Sequence, residues 1–158
     1  MGLAYSVFGR YGAEYDHPGV FYVGCQTKAE TTVEALKAML AEVEKMTREP
    51  VTEEELAQAK DAYLNSFVFN FDSKGEIVNR MMTYEYYGYP KDFLEKTKEN
   101  VEKVTKEDVL RVAKKYLRPD KLRILAVGNP EKFDQSLSTL GEVHEIDIAI
   151  PAETKEGS

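Results

Sequence analysis

The chain is poor in the residues that build disulfides and zinc sites. Its 158 residues include one cysteine, Cys25, and two histidines, His17 and His144. A single cysteine excludes an internal disulfide and a cysteine-based zinc site, and it favours a reducing compartment such as the cytoplasm. Neither histidine has a second one within helical reach, so the zinc motifs H-E-x-x-H and H-x-x-E-H are absent. We therefore expect no metal site and no cofactor on this chain.

Positive charge and long apolar runs are also scarce. The 28 acidic side chains outnumber the 21 basic ones and give a net charge of -7. Because such a surface does not attract a phosphate backbone, we expect no nucleic-acid partner. No apolar run approaches the roughly 20 residues that a membrane helix needs. The opening MGLAYSV also lacks the basic start and apolar stretch of a secretory signal, so we expect no membrane partner.

Local patterns predict an α+β domain over residues 1–150. Two strand-like segments, LAYSVFG and VFYVGCQ, flank the turn-rich YGAEYDHPG and predict a hairpin. Capping boxes at Thr27, Thr52 and Ser73 then mark the starts of three helices. The predicted helices cover about 28–46, 53–67 and 74–87, and two more begin at Asp92 and Thr105. The run FVFNF at 67–71 fits either a strand or a helix end.

The last third of the chain predicts two further strands. LRILAVG at 122–128 and VHEIDIAI at 143–150 are strand-like, and a short helix is predicted between NPEKF and Gly141. This order places the helices on one face of a mainly antiparallel sheet, in a two-layer sandwich. The polar residues 151–158 predict a disordered tail. Because a strand-like segment begins at residue three, we expect an incomplete domain that lacks its first strand and helix.

The segment RMMTYEYYGYP contains the candidate functional residues. Arg80 and Tyr87 are seven positions apart, so on a helix they share a face and lie about 10 Å apart along the axis. A guanidinium and a phenol together suit gripping peptide carbonyls or stabilising an oxyanion beside a catalytic metal. Spacing alone favours another interpretation, a snorkelling arginine beside a tyrosine that covers the core. Tyr84 falls on a core-facing stripe, and we expect Tyr86 and Tyr89 to face a partner.

Several segments, in order, resemble one protein family. They are GLAYSVFGRYG, VFYVGCQT, TKAETTVEAL, PVTEEELAQAKDAYLNSF and RMMTYEYYGYP. From Gly2 to about Leu140 the chain is similar to the carboxy-terminal domain of the pitrilysin/insulinase family of zinc peptidases. In that family two homologous domains face each other; the first carries H-x-x-E-H, and the second lacks metal ligands but contributes an arginine and a tyrosine to the substrate site.

The resemblance implies a function for the chain and a role for each site residue. Arg80 would hold the substrate, and Tyr87 would bind substrate and stabilise the tetrahedral intermediate at a zinc held by the other domain. The chain would then be the non-catalytic, substrate-binding half of a bipartite zinc metallopeptidase. Its partners would be a zinc-bearing homologous domain or subunit and a peptide substrate. Alone, without H-x-x-E-H, it should be inactive.

Two alternatives of other classes stay open. The same fold also serves in non-proteolytic assembly or scaffold subunits, in which Arg80 and Tyr87 would be interface residues only. The other alternative is a small-molecule-binding α+β domain in which the tyrosines line a pocket. For any of these, a missing first strand and helix would leave an apolar sheet edge uncovered and would favour homo-oligomers through that edge.

Overall fold

The computed structural model of the chain describes residues 2–66 and 73–148. Within these ranges an antiparallel hairpin is followed by five helices, which is the predicted α+β class. The strands are β1 (Ala4–Tyr11) and β2 (Phe21–Thr27); the helices are α1 (Thr32–Met46), α2 (Glu53–Ser66), α3 (Lys74–Tyr86), α4 (Phe93–Lys103) and α5 (Lys106–Tyr116). The ambiguous FVFNF run and the predicted disordered tail lie outside the described residues.

The hairpin has one half-covered strand and one exposed strand. The register runs from Tyr11 opposite Phe21 to Ala4 opposite Thr27, with an irregularity between Ala4 and Ser6. Most of β2 is half-buried because α1 packs against it, whereas every residue of β1 is exposed. In the described part of the chain β1 pairs with β2 alone. Its other edge therefore offers unpaired backbone groups and apolar side chains.

The hydrophobic core lies where α1 meets the end of α5. Its buried apolar members are Val33, Ala35, Leu36, Val43, Ala113 and Leu117. The first four come from the face of α1 that the three- and four-residue spacing of its apolar residues predicts. Helices α2 and α3 contribute no buried residue. The core is thus narrow, and α3 displays its side chains at the surface.

Local hydrogen bonds confirm the predicted starts of three helices. At α2 the Thr52 hydroxyl accepts from the backbone of Glu55 at 3.2 Å, while the Glu55 carboxylate accepts from the backbone of Thr52 at 2.8 Å. Ser73 and Glu76 form the same reciprocal box at α3. Thr105 begins α5 in this way with Asp108 as its partner. These boxes satisfy backbone N–H groups that have no partner inside the helix.

The capping box predicted at Thr27 is wrong. Thr27 ends β2, and its hydroxyl donates to the carbonyl of Leu3 across the hairpin and lies 2.7 Å from that of Thr31. A 3₁₀ turn over Ala29–Thr31 separates it from α1. The first turn of α1 is capped instead by Asp134, whose two carboxylate oxygens accept from successive backbone N–H groups, the nearer at 2.8 Å.

The two strands predicted near the carboxy terminus are also wrong within the described residues. Residues 122–128 and 143–148 are extended but pair with no neighbouring strand there, and positions 149 and 150 lie outside the description. Leu125 and Val127 are 75% and 88% exposed. Strand-like composition needs a neighbouring backbone to form a ladder, and among the described residues no strand pairs with these segments. The helix predicted between them consists of 3₁₀ turns at Pro130–Lys132 and Leu137–Thr139.

Candidate functional site

The two predicted site residues lie at the middle of α3 and just past its carboxy-terminal end. Arg80 is half-buried, and its Nη1 donates to the phenolic oxygen of Tyr84, one turn further along, at 3.2 Å. Tyr87 follows the last helical residue and is 39% exposed. Gly88 then adopts a φ of 70°, which glycine reaches without strain and which ends the helix. The local sequence thus fixes where the Tyr87 ring leaves the helix.

Five rings pack together around this helix end, and we refer to them as the aromatic cluster: Tyr15, Tyr84, Tyr87, Tyr89 and Phe93. The rings of Tyr15 and Tyr87 are stacked, with centroids 4.7 Å apart and planes 12° apart. Edge contacts join Tyr89 to Phe93 at 4.5 Å and to Tyr15 at 5.4 Å. Stacked and edge-to-face geometries are those that aromatic quadrupoles favour.

The connection between β1 and β2 carries Tyr15 to α3. At its base the backbone N–H of Gly12 donates to the carbonyl of Val20 at 3.0 Å. The chains approach so closely there that a Cβ on Gly19 would lie 2.1 Å from the Gly12 oxygen. Only glycine fits position 19, because any side chain would collide with backbone. Residues 13–18 therefore form a closed loop that lies against the end of α3.

The same loop sets the electrostatics of Tyr87. The negative charge of Asp16 is the largest cause that raises the pKa of the Tyr87 phenol, followed by desolvation and by Tyr86 and Tyr15. Asp16 in turn lies 2.6 Å from Nδ1 of His17. A tyrosine of ordinary pKa is already protonated at neutral pH, and the raised pKa extends this to more alkaline solution. Tyr87 therefore presents an O–H donor rather than an oxyanion.

Arg80 and Tyr87 are linked through the aromatic cluster. Arg80 bonds Tyr84, the Tyr84 ring lies 6.4 Å from that of Tyr15, and Tyr15 stacks on Tyr87. Since no described residue of α3 is buried, neither predicted site residue is sealed in the core. Tyr86 is 82% exposed, as expected of a partner-facing residue. Tyr89 is half-buried, with ring contacts to Phe93 and Tyr84, and its role towards a partner stays a prediction.

A separate cavity of about 580 Å³ lies beside the hairpin end, between β1–β2 and the helices α4 and α5. Its lining is mostly apolar and includes Tyr11, Phe21 and Met46, with Lys103 and Arg111 contributing charge. No member of the aromatic cluster lines it. The alternative in which the clustered tyrosines line a small-molecule pocket therefore gains no support from this cavity.

Residues 2–66 and 73–148 contain neither a group of metal-ligand side chains nor a membrane-spanning helix. In these ranges no group of three or more His, Cys, Asp or Glu side chains is placed to hold a metal ion. None of the helices described there has the length and apolarity to cross a bilayer.

Comparison with known proteins agrees with the resemblance inferred from the sequence. The family model of the peptidase M16 inactive domain matches residues 1–63. Among solved structures, the crystal structure of a peptidase M16 inactive domain from Pseudomonas fluorescens is similar, with 27% identity and a TM-score of 0.66. The match covers 76% of this chain, which spans 28% of the length of that one. No curated protein matches significantly.

The fold and the family match agree on what this chain is similar to. The predicted resemblance to the carboxy-terminal, non-zinc-binding domain of the pitrilysin/insulinase peptidases, which are peptidase family M16, is confirmed. The chain is similar to the inactive, non-catalytic domain of that family.

Proposed function

We propose that this chain is the substrate-binding, non-catalytic half of a bipartite zinc metallopeptidase that hydrolyses peptide bonds. The similarity to peptidase M16 inactive domains supports a non-catalytic role. The observation that carries the substrate-binding role is the position of Arg80 and Tyr87 on the last two turns of α3 and its C-cap, outside the core and joined through Tyr84 and Tyr15. A zinc ion in the partner domain or subunit would activate the attacking water.

Arg80 is suited to hold the peptide backbone of a substrate. Its guanidinium has five N–H donors in a fixed plane, and the Tyr84 hydroxyl accepts from one of its nitrogens. That bond restricts the motion of the side chain, so less conformational entropy is lost when the guanidinium binds a substrate. Its half-buried position also lowers the local dielectric, which strengthens those hydrogen bonds.

Tyr87 is suited to donate a hydrogen bond to developing negative charge. Its hydroxyl is protonated at neutral pH, as a phenol with the ordinary tyrosine pKa would be, and the charge of Asp16 raises the pKa further. When water attacks a peptide carbonyl, charge accumulates on the carbonyl oxygen, and a prepositioned donor stabilises that oxyanion more than the starting carbonyl. Tyr87 would thus contribute to catalysis from a chain that carries no catalytic metal.

The partner would cover the exposed apolar surface of the hairpin. Tyr5 and Val7 on β1 are 73% and 72% exposed, beside a strand edge with which no strand of residues 2–66 and 73–148 pairs. Such an edge favours pairing with another strand, from the zinc-bearing half or, without it, from a second copy of this chain. A non-proteolytic scaffold subunit would use the same surface, and this exposure is the observation that favours that second candidate.

Mixing experiments distinguish the two candidates. The chain would be combined with homologous subunits bearing H-x-x-E-H from the same source, and complex formation and cleavage of a peptide library would be measured. We expect peptidase activity that appears only on mixing and disappears on chelation of zinc. A stable complex that is inert towards every peptide would overturn the substrate-binding role and favour the scaffold.

A further inference from the structure

The loop between β1 and β2 brings Tyr15 to the candidate site. No sequence pattern linked Tyr15 to Arg80 or Tyr87. Tyr15 lies at the middle of the loop closed by Gly12 and Gly19, and its ring contacts three tyrosines of the aromatic cluster. The contact with Tyr87 is the closest, a near-parallel stack. Because the base of the loop is pinned by backbone, the position of Tyr15 follows from the hairpin itself.

The stack restricts the side-chain motion of Tyr87. Tyr87 follows the last residue of α3 and is more than one third exposed, so the helix backbone alone leaves its ring several rotamers. Tyr15 covers one face of that ring, while Tyr86 approaches at 4.9 Å with its plane 89° away. Rotation of Tyr87 about χ1 would break both contacts. The two neighbouring rings therefore hold the phenol in one direction.

We propose that Tyr15 is a positioning residue, which stacks on Tyr87 and aims its hydroxyl at the bond to be cleaved. The inference deepens the proposed function and rests on it. Tyr15 itself need not touch the substrate, since it acts through the ring of Tyr87. Its own hydroxyl is then dispensable, and its ring is not.

Two substitutions separate ring from hydroxyl. Tyr15→Phe keeps the stacked face and loses only the hydroxyl, whereas Tyr15→Leu removes the aromatic face and keeps apolar bulk. Tyr116→Leu is the matched control, because Tyr116 is exposed on α5 and belongs to no part of the aromatic cluster. Tyr15 is itself 42% exposed, so its replacement should leave the core between α1 and α5 intact.

The first measurement uses the chain alone and needs no peptidase activity. With tyrosine labelled by ¹³C in the ring, the NMR signals of Tyr87 are assigned through Tyr87→Phe. We expect Tyr15→Leu to shift the Tyr87 signals, because a stacked ring imposes a ring current, and Tyr15→Phe to leave them close to wild type. Unshifted Tyr87 signals in Tyr15→Leu would show that the stack is absent in solution and overturn the inference.

The second measurement uses the enzyme assembled with its zinc-bearing half. We expect Tyr15→Leu to lower kcat about three- to tenfold with KM unchanged, as the loss of one aromatic pair implies, and Tyr15→Phe and Tyr116→Leu to match wild type. An unaltered kcat in Tyr15→Leu, while Tyr87→Phe is impaired, would overturn the inference alone. Full activity in Tyr87→Phe would overturn both the inference and the role of Tyr87 in the proposed function.

Discussion

Asp134 caps helix α1 by accepting a hydrogen bond of 2.8 Å from the backbone N–H of Val33, 101 positions earlier in the chain. Its second carboxylate oxygen accepts from the next N–H at 3.1 Å. One carboxylate thereby satisfies two of the four N–H groups that a helix start leaves without partners, and its charge faces the positive end of the helix dipole. The same residue ties the carboxy-terminal segment to the core helix.

Replacement of Asp134 should therefore weaken the fold. We expect Asp134→Ala to lower the urea midpoint of unfolding by roughly half a molar, as typical cap energies and denaturant slopes imply. Glu131→Ala, an exposed acidic residue nearby, is the control and should leave the midpoint unchanged. Circular dichroism at 222 nm follows the transition. Equal midpoints for Asp134→Ala and wild type would show that the cap is not formed in solution.

The contribution of Asp134 should depend on pH. Desolvation raises the pKa of its carboxyl, but the hydrogen bonds from Val33 and Glu34 outweigh it and hold the pKa below the ordinary 3.8. A lowered folded pKa gives stability that is present above the unfolded value and is lost as the pH falls through the folded one. The difference in midpoint between wild type and Asp134→Ala should thus be constant above about pH 5 and shrink towards pH 2. A difference that persists at the lowest pH would contradict this.

Sequence patterns succeeded where the decisive hydrogen bonds are local. The boxes at Thr52, Ser73 and Thr105 close over three residues, so the composition of each segment suffices to begin its helix. The start of α1 depends on Asp134, which no pattern near α1 contains. Likewise, the apolar run around Leu125 predicts a strand, but a ladder needs a neighbouring backbone that the described residues do not place there.

The candidate site likewise has one part that local sequence patterns predict and one part that they do not. The placement of Arg80 at the middle of α3 and of Tyr87 just past its end follows from the helix bounds, which local capping at Ser73 and the glycine at 88 delimit. The stack of Tyr15 on Tyr87 joins positions 72 apart and arises only when the hairpin docks on α3. The sequence signal for it was limited to a tyrosine and an aspartate within a turn-rich segment, a pattern typical of many loops.

Because the core is narrow, similar substitutions should lower the free energy of unfolding by unequal amounts. Leu36 is buried on α1, so Leu36→Ala should lower the free energy of unfolding by about 2–5 kcal/mol. Leu125 is 75% exposed, and Leu125→Ala should change it by less than about 0.5 kcal/mol. Urea titration of both variants measures the contrast. A comparable loss of unfolding free energy in both variants would mean that residues 122–128 are packed in solution, which would contradict the exposure described above.

The charge of Asp16 should have a measurable effect on the pKa of Tyr87. Because that carboxylate is the largest cause raising the pKa of the phenol, Asp16→Asn should move the pKa back towards 10.0. The ¹³Cζ signal of Tyr87, followed from neutral to strongly alkaline pH, reports the titration. Glu14→Gln, in the same loop, is the control and should leave the curve in place. An identical titration in Asp16→Asn and wild type would show that the loop does not lie against Tyr87.

The proposed function requires that Tyr87 donates a hydrogen bond to the reacting carbonyl. Substitutions at two neighbouring tyrosines test this requirement. Tyr87→Phe and Tyr86→Phe each remove one hydroxyl from adjacent exposed tyrosines and keep both rings. In the assembled peptidase we expect Tyr87→Phe to lower kcat by roughly 10²–10³-fold, the usual effect of losing an oxyanion donor. Arg80→Ala, which removes the proposed substrate contact, should raise KM.

Peptide turnover by these variants, with the folded state of each verified by circular dichroism, is the deciding measurement. The account predicts that Tyr86→Phe cleaves peptides at the wild-type rate, whereas Tyr87→Phe and Arg80→Ala are each impaired. Wild-type turnover by both Tyr87→Phe and Arg80→Ala would contradict the substrate-binding role of this chain.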